Sequence, residues 1–209
     1  MSTANLNRQA VMKYLPYVFM GSMVVLVLCF GFSSGPKYKL PPGEVAPESP
    51  AQQALSSDQS WRAYGYTIVP LCSFQMRGRV LSTTRYYFDR MASLSPVDFA
   101  MGWGPMSDSQ VLNQLSISQV GRFYGWSTRR LPLPADTISL HSANMHMIPS
   151  NDAVRDQLLR VRLDDVISVD GYLIKAQNDS GRTFISSQTR DDKGAGACEI
   201  IWVEKISWE

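Results

Sequence analysis

The stretch HSANMHMIPSND, His141 to Asp152, holds both histidines of the 209-residue chain, two of its ten methionines, two serines and an aspartate. These residue types bind soft metals or carry nucleophilic chemistry. His141, Met145 and His146 make a donor set suited to copper. Their spacing works against it. Five residues apart, the two imidazoles lie about 140° apart on a helix and on opposite faces of a strand, so only a loop brings them to one ion. A c-type haem would need C-x-x-C-H, which is absent. A hydrolytic reading takes Ser142 as nucleophile, His146 as base and Asp152 as the orienting carboxylate, with Ser150, Asp164 and Asp165 as substitutes. A serine nucleophile needs a strained elbow and an oxyanion frame, and no G-x-S-x-G is present. The favoured expectation is structural: Met145, Met147 and Ile148 enter the core while a histidine satisfies backbone groups. No catalytic residue, metal or cofactor is expected.

The most distinctive stretch is GWGPMSD, Gly102 to Asp108, with Trp103 between two glycines and Pro105 stiffening the exit. An aromatic on a constrained loop can anchor a partner, or cap the core where glycines permit close packing. Trp103, with Asn144 and Trp126, is the candidate binding set. DDKGAGACE has the glycines of an anion cradle but lacks the Lys-Ser/Thr ending of a P-loop, and its two aspartates repel phosphate. A tight loop between strands is expected there. Tyr86, Tyr87, Phe123, Tyr124 and Trp126 read as strand residues, since no basic groove accompanies them as a base-stacking surface requires.

These residues must be held by elements, and the chain divides into four parts. Residues 1–13 form a short polar tail. Tyr14 to Phe32 is 19 residues without a charge, roughly 28 Å as a helix and close to the thickness of a hydrocarbon core. A lipid bilayer is the partner expected of residues 14–32. A cleaved signal peptide is the rival reading; the run exceeds the usual apolar region of one and no A-x-A site follows. A short tail left in the cytoplasm places the remainder in the periplasm, although Lys37 and Lys39 make the charge bias slight. Residues 33–60, with five prolines, read as an extended, semi-rigid linker. Residues 61–209 read as one compact domain. Setting aside Arg8 and Lys13 leaves 18 of 20 basic residues against 18 acidic ones. With no basic stripe to displace counterions, nucleic acid is not an expected partner.

Within the domain, WRAYGYTIVPLCSF and QMRGRVLSTTRYYF are rich in the aromatic and β-branched residues of strands. SPVDFAMGW reads as a short helix, with Ser95 as cap and Pro96 in the first turn. SDSQVLNQL predicts another helical turn or two, ISQVGRFYGW a strand, and SNDAVRDQLLRV a helix capped by Ser150 or Asn151. DDVISVDGYLIKAQ, RTFISSQT and CEIIWVEKISW predict three strands, the first two joined by a turn at Asn178 to Gly181. Gly171 is expected at a bend or bulge. The sum is α+β: an N-terminal transmembrane helix, then a mixed antiparallel sheet or small OB-like barrel with short helices.

Of three cysteines, Cys29 falls in the apolar run. Cys72 and Cys198 remain, an even pair of the kind an oxidising compartment favours. A disulfide between them is expected if their strands are neighbours; a buried thiol is the alternative.

LSPVDFAMGWGPMSD, SANMHMIP and TRDDKGAGACEIIWVE together resemble an uncharacterised family of bacterial single-span membrane proteins, over most of Phe74 to Glu204. The resemblance implies a place in the bacterial envelope and brings no activity. The functional expectation is a membrane-anchored, non-enzymatic recognition or assembly protein of the envelope, with an envelope protein as partner. The alternative is a metal-binding or hydrolytic protein that uses His141 and His146.

Overall fold

The computed structural model describes residues 37–55, 59–189 and 198–209. The apolar run 14–32 and the RDDKGAGA loop lie outside the described residues. Among the described residues no helix is long and apolar enough to cross a membrane.

The described residues from Tyr38 onward belong to one compact unit built on a strand-rich sheet. Its framework is five strands: β3 (Tyr66–Arg85), β4 (Val97–Gly102), β7 (Ser142–Pro149), β8 (Val166–Asn178) and β10 (Glu199–Trp208). Pairing runs β3–β4–β7–β10–β8, and β8 pairs again with β3. The cycle of hydrogen-bonded strands therefore closes. All of its pairs are antiparallel except β7 with β10. Short strands decorate it: β1 (Ala51–Ala54) and β2 (Trp61–Ala63) lie on β3, and β9 (Thr183–Ile185) on β8. β5 (Ser116–Val120) and β6 (Phe123–Ser127) form a separate hairpin.

Period-two alternation decides which side chains enter the ring. Val97, Phe99 and Met101 of β4 share one buried cluster with Met145 and Met147 of β7 and Ile167, Val169 and Leu173 of β8. Asp98 and Ala100 take the other face. The helix expected over SPVDFAMGW is therefore a strand. Ser-Pro followed by an aspartate imitates a helix start, but V-D-F-A-M-G alternates, and tertiary pairing of both faces overrides the local signal. Both faces of β4 are buried, because the connection from Trp103 to His141 folds back over the outside. That connection carries a 3₁₀ turn (Gly104–Ser107), helix α1 (Ser109–Leu112), the β5–β6 hairpin and helix α2 (Ala135–Leu140). Leu112, Leu115, Ile117 and Ile138 bury against Leu81 and Ala100.

Helix α3 (Asp152–Leu158) bears out the expectation for SNDAVRDQLLRV. Asn151 Oδ1 accepts from the Val154 amide, and Val154, Leu158 and Val161 join the inner cluster. Gly171 also sits where the strands bend. A Cβ there would meet the Trp202 carbonyl at 1.9 Å, and the β8–β10 register slips between Val203 and Lys205 on the facing strand. Only glycine tolerates so close a backbone approach.

The stretch expected to be an extended, semi-rigid spacer is in part folded onto the domain. Tyr38 is 1% exposed, its hydroxyl donates to the Leu81 carbonyl at 2.8 Å, and its ring lies 5.4 Å from the Arg79 guanidinium. Arg79 is itself buried and ties three segments together. It donates to Asp164 Oδ1, the Ser107 carbonyl and Ser109 Oγ at 2.7–2.9 Å, while Asp164 Oδ2 accepts from the Lys39 amide. The prolines up to Pro50 keep the first part of this stretch out of a regular strand or helix, yet Tyr38 and Ala46 bury there. β1 then adds a sheet edge.

Candidate functional site

Asp98 and His146 face each other directly across the β4–β7 pair. Both side chains leave the ring on its outer side, since Phe99, Met145 and Met147 take the inner one. His146 Nδ1 lies 2.8 Å from Asp98 Oδ2. Neither atom meets hydrogen-bond geometry in that contact, so it is electrostatic rather than a directed bond. Asp98 Oδ1 accepts from Arg122 Nη1 at 2.9 Å, and Ser95 Oγ donates to the same oxygen.

Arg122 comes from the β5–β6 turn, where it adopts φ 69° beside Gly121 at φ 57°. That left-handed backbone reverses the chain and throws the guanidinium back over β4. Besides Asp98 it donates to Asp89 through Nε and Nη2, and to the Ser95 carbonyl, all within 2.9 Å. Its Cζ lies 3.9 Å from the Tyr86 ring centroid. Burial opposes ionisation of Asp89, but the Arg122 hydrogen bonds and the Met91 and Ala92 amides outweigh it and hold its pKa below the usual carboxylate range. A fork with this many acceptors is the use to which arginine, and not lysine, is suited.

This charge cluster borders a pocket of about 520 Å³. Four segments meet there: residues 89–91 after β3, residues 121–123 of the hairpin turn, Thr183–Ile185 of β9, and Cys198 with Ile200 at the start of β10. His146 supplies one wall. Most of the remaining walls are apolar. Two of the lining apolar groups are open to solvent: Ile185 is 56% exposed and Phe123 54%. Exposed large apolar groups gathered round a pocket mark an interaction site more strongly than scattered ones do.

The residues expected from sequence fall elsewhere, with one exception. Trp103 is 1% exposed and belongs to the inner cluster, so it is not a surface anchor. Gly102 and Gly104 allow this: a Cβ on Gly102 would meet the Met106 carbonyl at 2.3 Å, and one on Gly104 the His141 ring at 2.8 Å. Asn144 is buried and pins the hairpin, accepting from Gln119 Nε2 and donating to the Arg122 carbonyl. Trp126 packs half-buried beside the outer cluster. The copper set is not assembled. His141 bonds the Thr137 carbonyl through Nδ1, Met145 points into the ring and His146 out of it. Among the described residues no group of three His, Cys, Asp or Glu side chains is placed to hold a metal.

Nor is the serine set assembled. Ser142 Oγ donates to the Ile138 carbonyl and meets the Tyr124 hydroxyl at 2.9 Å. It stands four strand residues from His146, roughly 13 Å away. Asp152 lies in the exposed first turn of α3. Tyr124 is desolvated by burial, and its pKa is pushed up to about 12 despite the hydrogen bond with Ser142. The expected Cys72–Cys198 bridge is not formed. Cys72 Sγ lies against Gln52 and Cys198 Sγ against the Arg122 carbonyl.

His146 is the exception that reaches the pocket. Its partners there, Asp98 and Arg122, carry one usable sequence signal. An aspartate inside an otherwise apolar alternating strand has to find a buried cation. Compared with known proteins, the chain matches no family model, no curated protein and no solved structure.

Proposed function

We propose that this chain is a membrane-anchored, non-enzymatic recognition or assembly protein of the bacterial envelope, whose domain takes an extended segment of a partner protein at the pocket beside His146. One observation carries the reading: an apolar pocket lined by Phe123, Phe184 and Ile185, whose polar wall residue Arg122 is already fixed by Asp98. A site meant to move protons or hold a metal leaves such groups to its substrate. Here they are spent on holding the β5–β6 turn to the connection before β4 and to β4 itself.

The topology supports the same place. The ring order, read from its first strand, is first, second, third, fifth, fourth; third and fifth run parallel, and a helix lies between third and fourth. This is the arrangement of an OB-like barrel with a long insertion after its second strand. In such barrels the second and third strands and the loops after the first and fourth form the binding face. The pocket draws walls from those loops and from His146 on the third strand, and the inserted hairpin adds Gly121, Arg122 and Phe123. Fold alone assigns no ligand, and the inserted hairpin covers the part of the face that a longer groove would need.

The uncharged run 14–32 supports the anchor. The test is site-specific photocrosslinking in native membranes. A probe at Phe123 or Ile185 should give a discrete adduct that mass spectrometry identifies. A probe at Leu131, exposed but outside the pocket, should give none. Equal adducts from all three positions, or none, would remove the pocket as the recognition site.

A further inference from the structure

β9 pairs with β8 along one side only. The Asn178 amide donates to the Arg182 carbonyl at 3.0 Å, and the Ser186 amide to the Ile174 carbonyl at 2.9 Å. In an antiparallel pair, residues that exchange backbone bonds alternate with residues that do not. Arg182, Phe184 and Ser186 therefore turn their backbone groups to β8, and Thr183 and Ile185 turn theirs the other way. Among the described residues nothing pairs with that outer side at Thr183 or Ile185. Two residues further on the side is closed, where the Ser187 amide donates to the Cys198 carbonyl.

This bare edge lies in the pocket. Consecutive strand side chains point to opposite faces, so a cavity that touches Thr183, Phe184 and Ile185 alike runs along the edge of β9 and not over one face. The backbone groups of an edge strand pair with another extended chain, and the surrounding side chains choose which. Here Met91, Phe123 and Ile200 stand nearby, so the side chains that enter are apolar ones. Arg122 is already engaged by Asp89 and Asp98, so it does not call for an acidic one. Residues 89–91 and 121–123 wall the same cavity, which an extended segment enters more readily than the edge of a second folded copy.

We propose that the partner's segment adds a strand to β9, exchanging backbone hydrogen bonds with Thr183 and Ile185 and placing apolar side chains in the pocket. This inference rests on the pocket being the recognition site. It adds the mode of recognition: main chain for affinity, alternate side chains for choice, and no proline where the segment donates to β9.

The test uses the purified full chain in detergent micelles. The probe is a capped heptapeptide of alternating valine and threonine between terminal lysines. The control is the same peptide with every valine and threonine amide N-methylated. At about nine-tenths occupancy by the probe, the Ile185 amide should exchange about tenfold more slowly, read by NMR. The Phe184 amide, turned to β8, should change little, and the control peptide should slow neither. A second arm reads the native partner through the Phe123 crosslink. Ile185→Ala removes the side chain and keeps the N–H; Ile185→Pro removes the outward N–H as well, without taking a bond from β8. Crosslinking should fall about tenfold further in the proline variant, the worth of one backbone hydrogen bond. The peptide arm is read on the unaltered protein, so the test survives a variant that fails to fold. An Ile185 amide unmoved by the probe or slowed equally by the control, or equal losses in the two variants, overturns strand addition. So does a Phe123 crosslink to a second copy of this chain. If the unaltered chain still gives its partner crosslink at Phe123, such a result leaves the recognition site standing; if that crosslink is absent, both fall.

Discussion

Replacing Arg122 by methionine keeps the length of the side chain and removes the fork. Asp98, wholly buried, then keeps only Ser95 and His146 beside it, and Asp89 loses its cation. Leaving a buried charge uncompensated costs about 3–5 kcal/mol, so Arg122→Met should show that loss in urea unfolding, with Arg122→Lys only partly restoring it. Trp103→Ala should cost a similar 3–5 kcal/mol, as large aromatic-to-alanine changes in cores do. That outcome separates a core tryptophan from a surface anchor, because an exposed side chain would leave the midpoint nearly unchanged. Gly171→Ala should cost about 1–3 kcal/mol, since its methyl meets the Trp202 carbonyl and the strands must part. The chemistry at this scale was only partly legible in the sequence. His146 stood out as one of two histidines, and Gly171 as a glycine within a strand pattern. Arg122 gave no sign of its role. It finds Asp98, 24 residues back, only through the shape of the intervening hairpin, and no local pattern records that distance.

The β5–β6 hairpin is held to the ring by a small number of polar ties, and one of them responds to acid. The pKa of Asp89 is depressed in the folded protein, so the stability it contributes is present above the unfolded value, near pH 4, and is lost as pH falls through the folded value. Amide exchange at Gly121–Phe123 should therefore quicken selectively below about pH 4. Asp89→Asn should exchange faster already at neutral pH and flatten the profile. The Tyr38–Ala54 segment makes the opposite prediction to a free linker: trypsin should spare Lys39, whose amide is bonded to Asp164, while the domain is folded. Cleavage there at the rate of an unfolded chain would return the segment to the role of spacer. Elements with one clear period, such as α3 and β8, were legible. The segment before β1 was not, because its prolines hide two buried residues, Tyr38 and Ala46, that are too widely spaced to form a pattern. β4 was misread because its helix-start residues lie just before a strand.

At the scale of the whole molecule, the class of fold followed from the alternating strands, but ring closure did not. Closure depends on β3 running 20 residues and pairing with β4 along one part and with β8 along another, and no turn residue announces it. Cys72 and Cys198 show the same gap between composition and arrangement: strand placement read from sequence left open which neighbours each thiol would meet. The parallel pairing of β7 with β10 carries a consequence for how the chain reaches this state. β10 slots between β7 and β8 although some fifty residues separate it from β7. Among the described residues the only local hairpin partner here, β9, covers just Lys175, Ala176 and Gln177 of β8. Pairings between strands so distant in sequence form late and make folding slow. Until β10 arrives, β7 and β8 present bare edges of the kind that join other chains. A chain ending before Glu199 should thus collapse into a species that binds a hydrophobic dye and aggregates, rather than into a smaller stable domain. Supplying residues 199–209 as a separate peptide during refolding should rescue it, and the yield of rescued monomer, read by size-exclusion chromatography, measures how far the last strand acts as the seal of the ring.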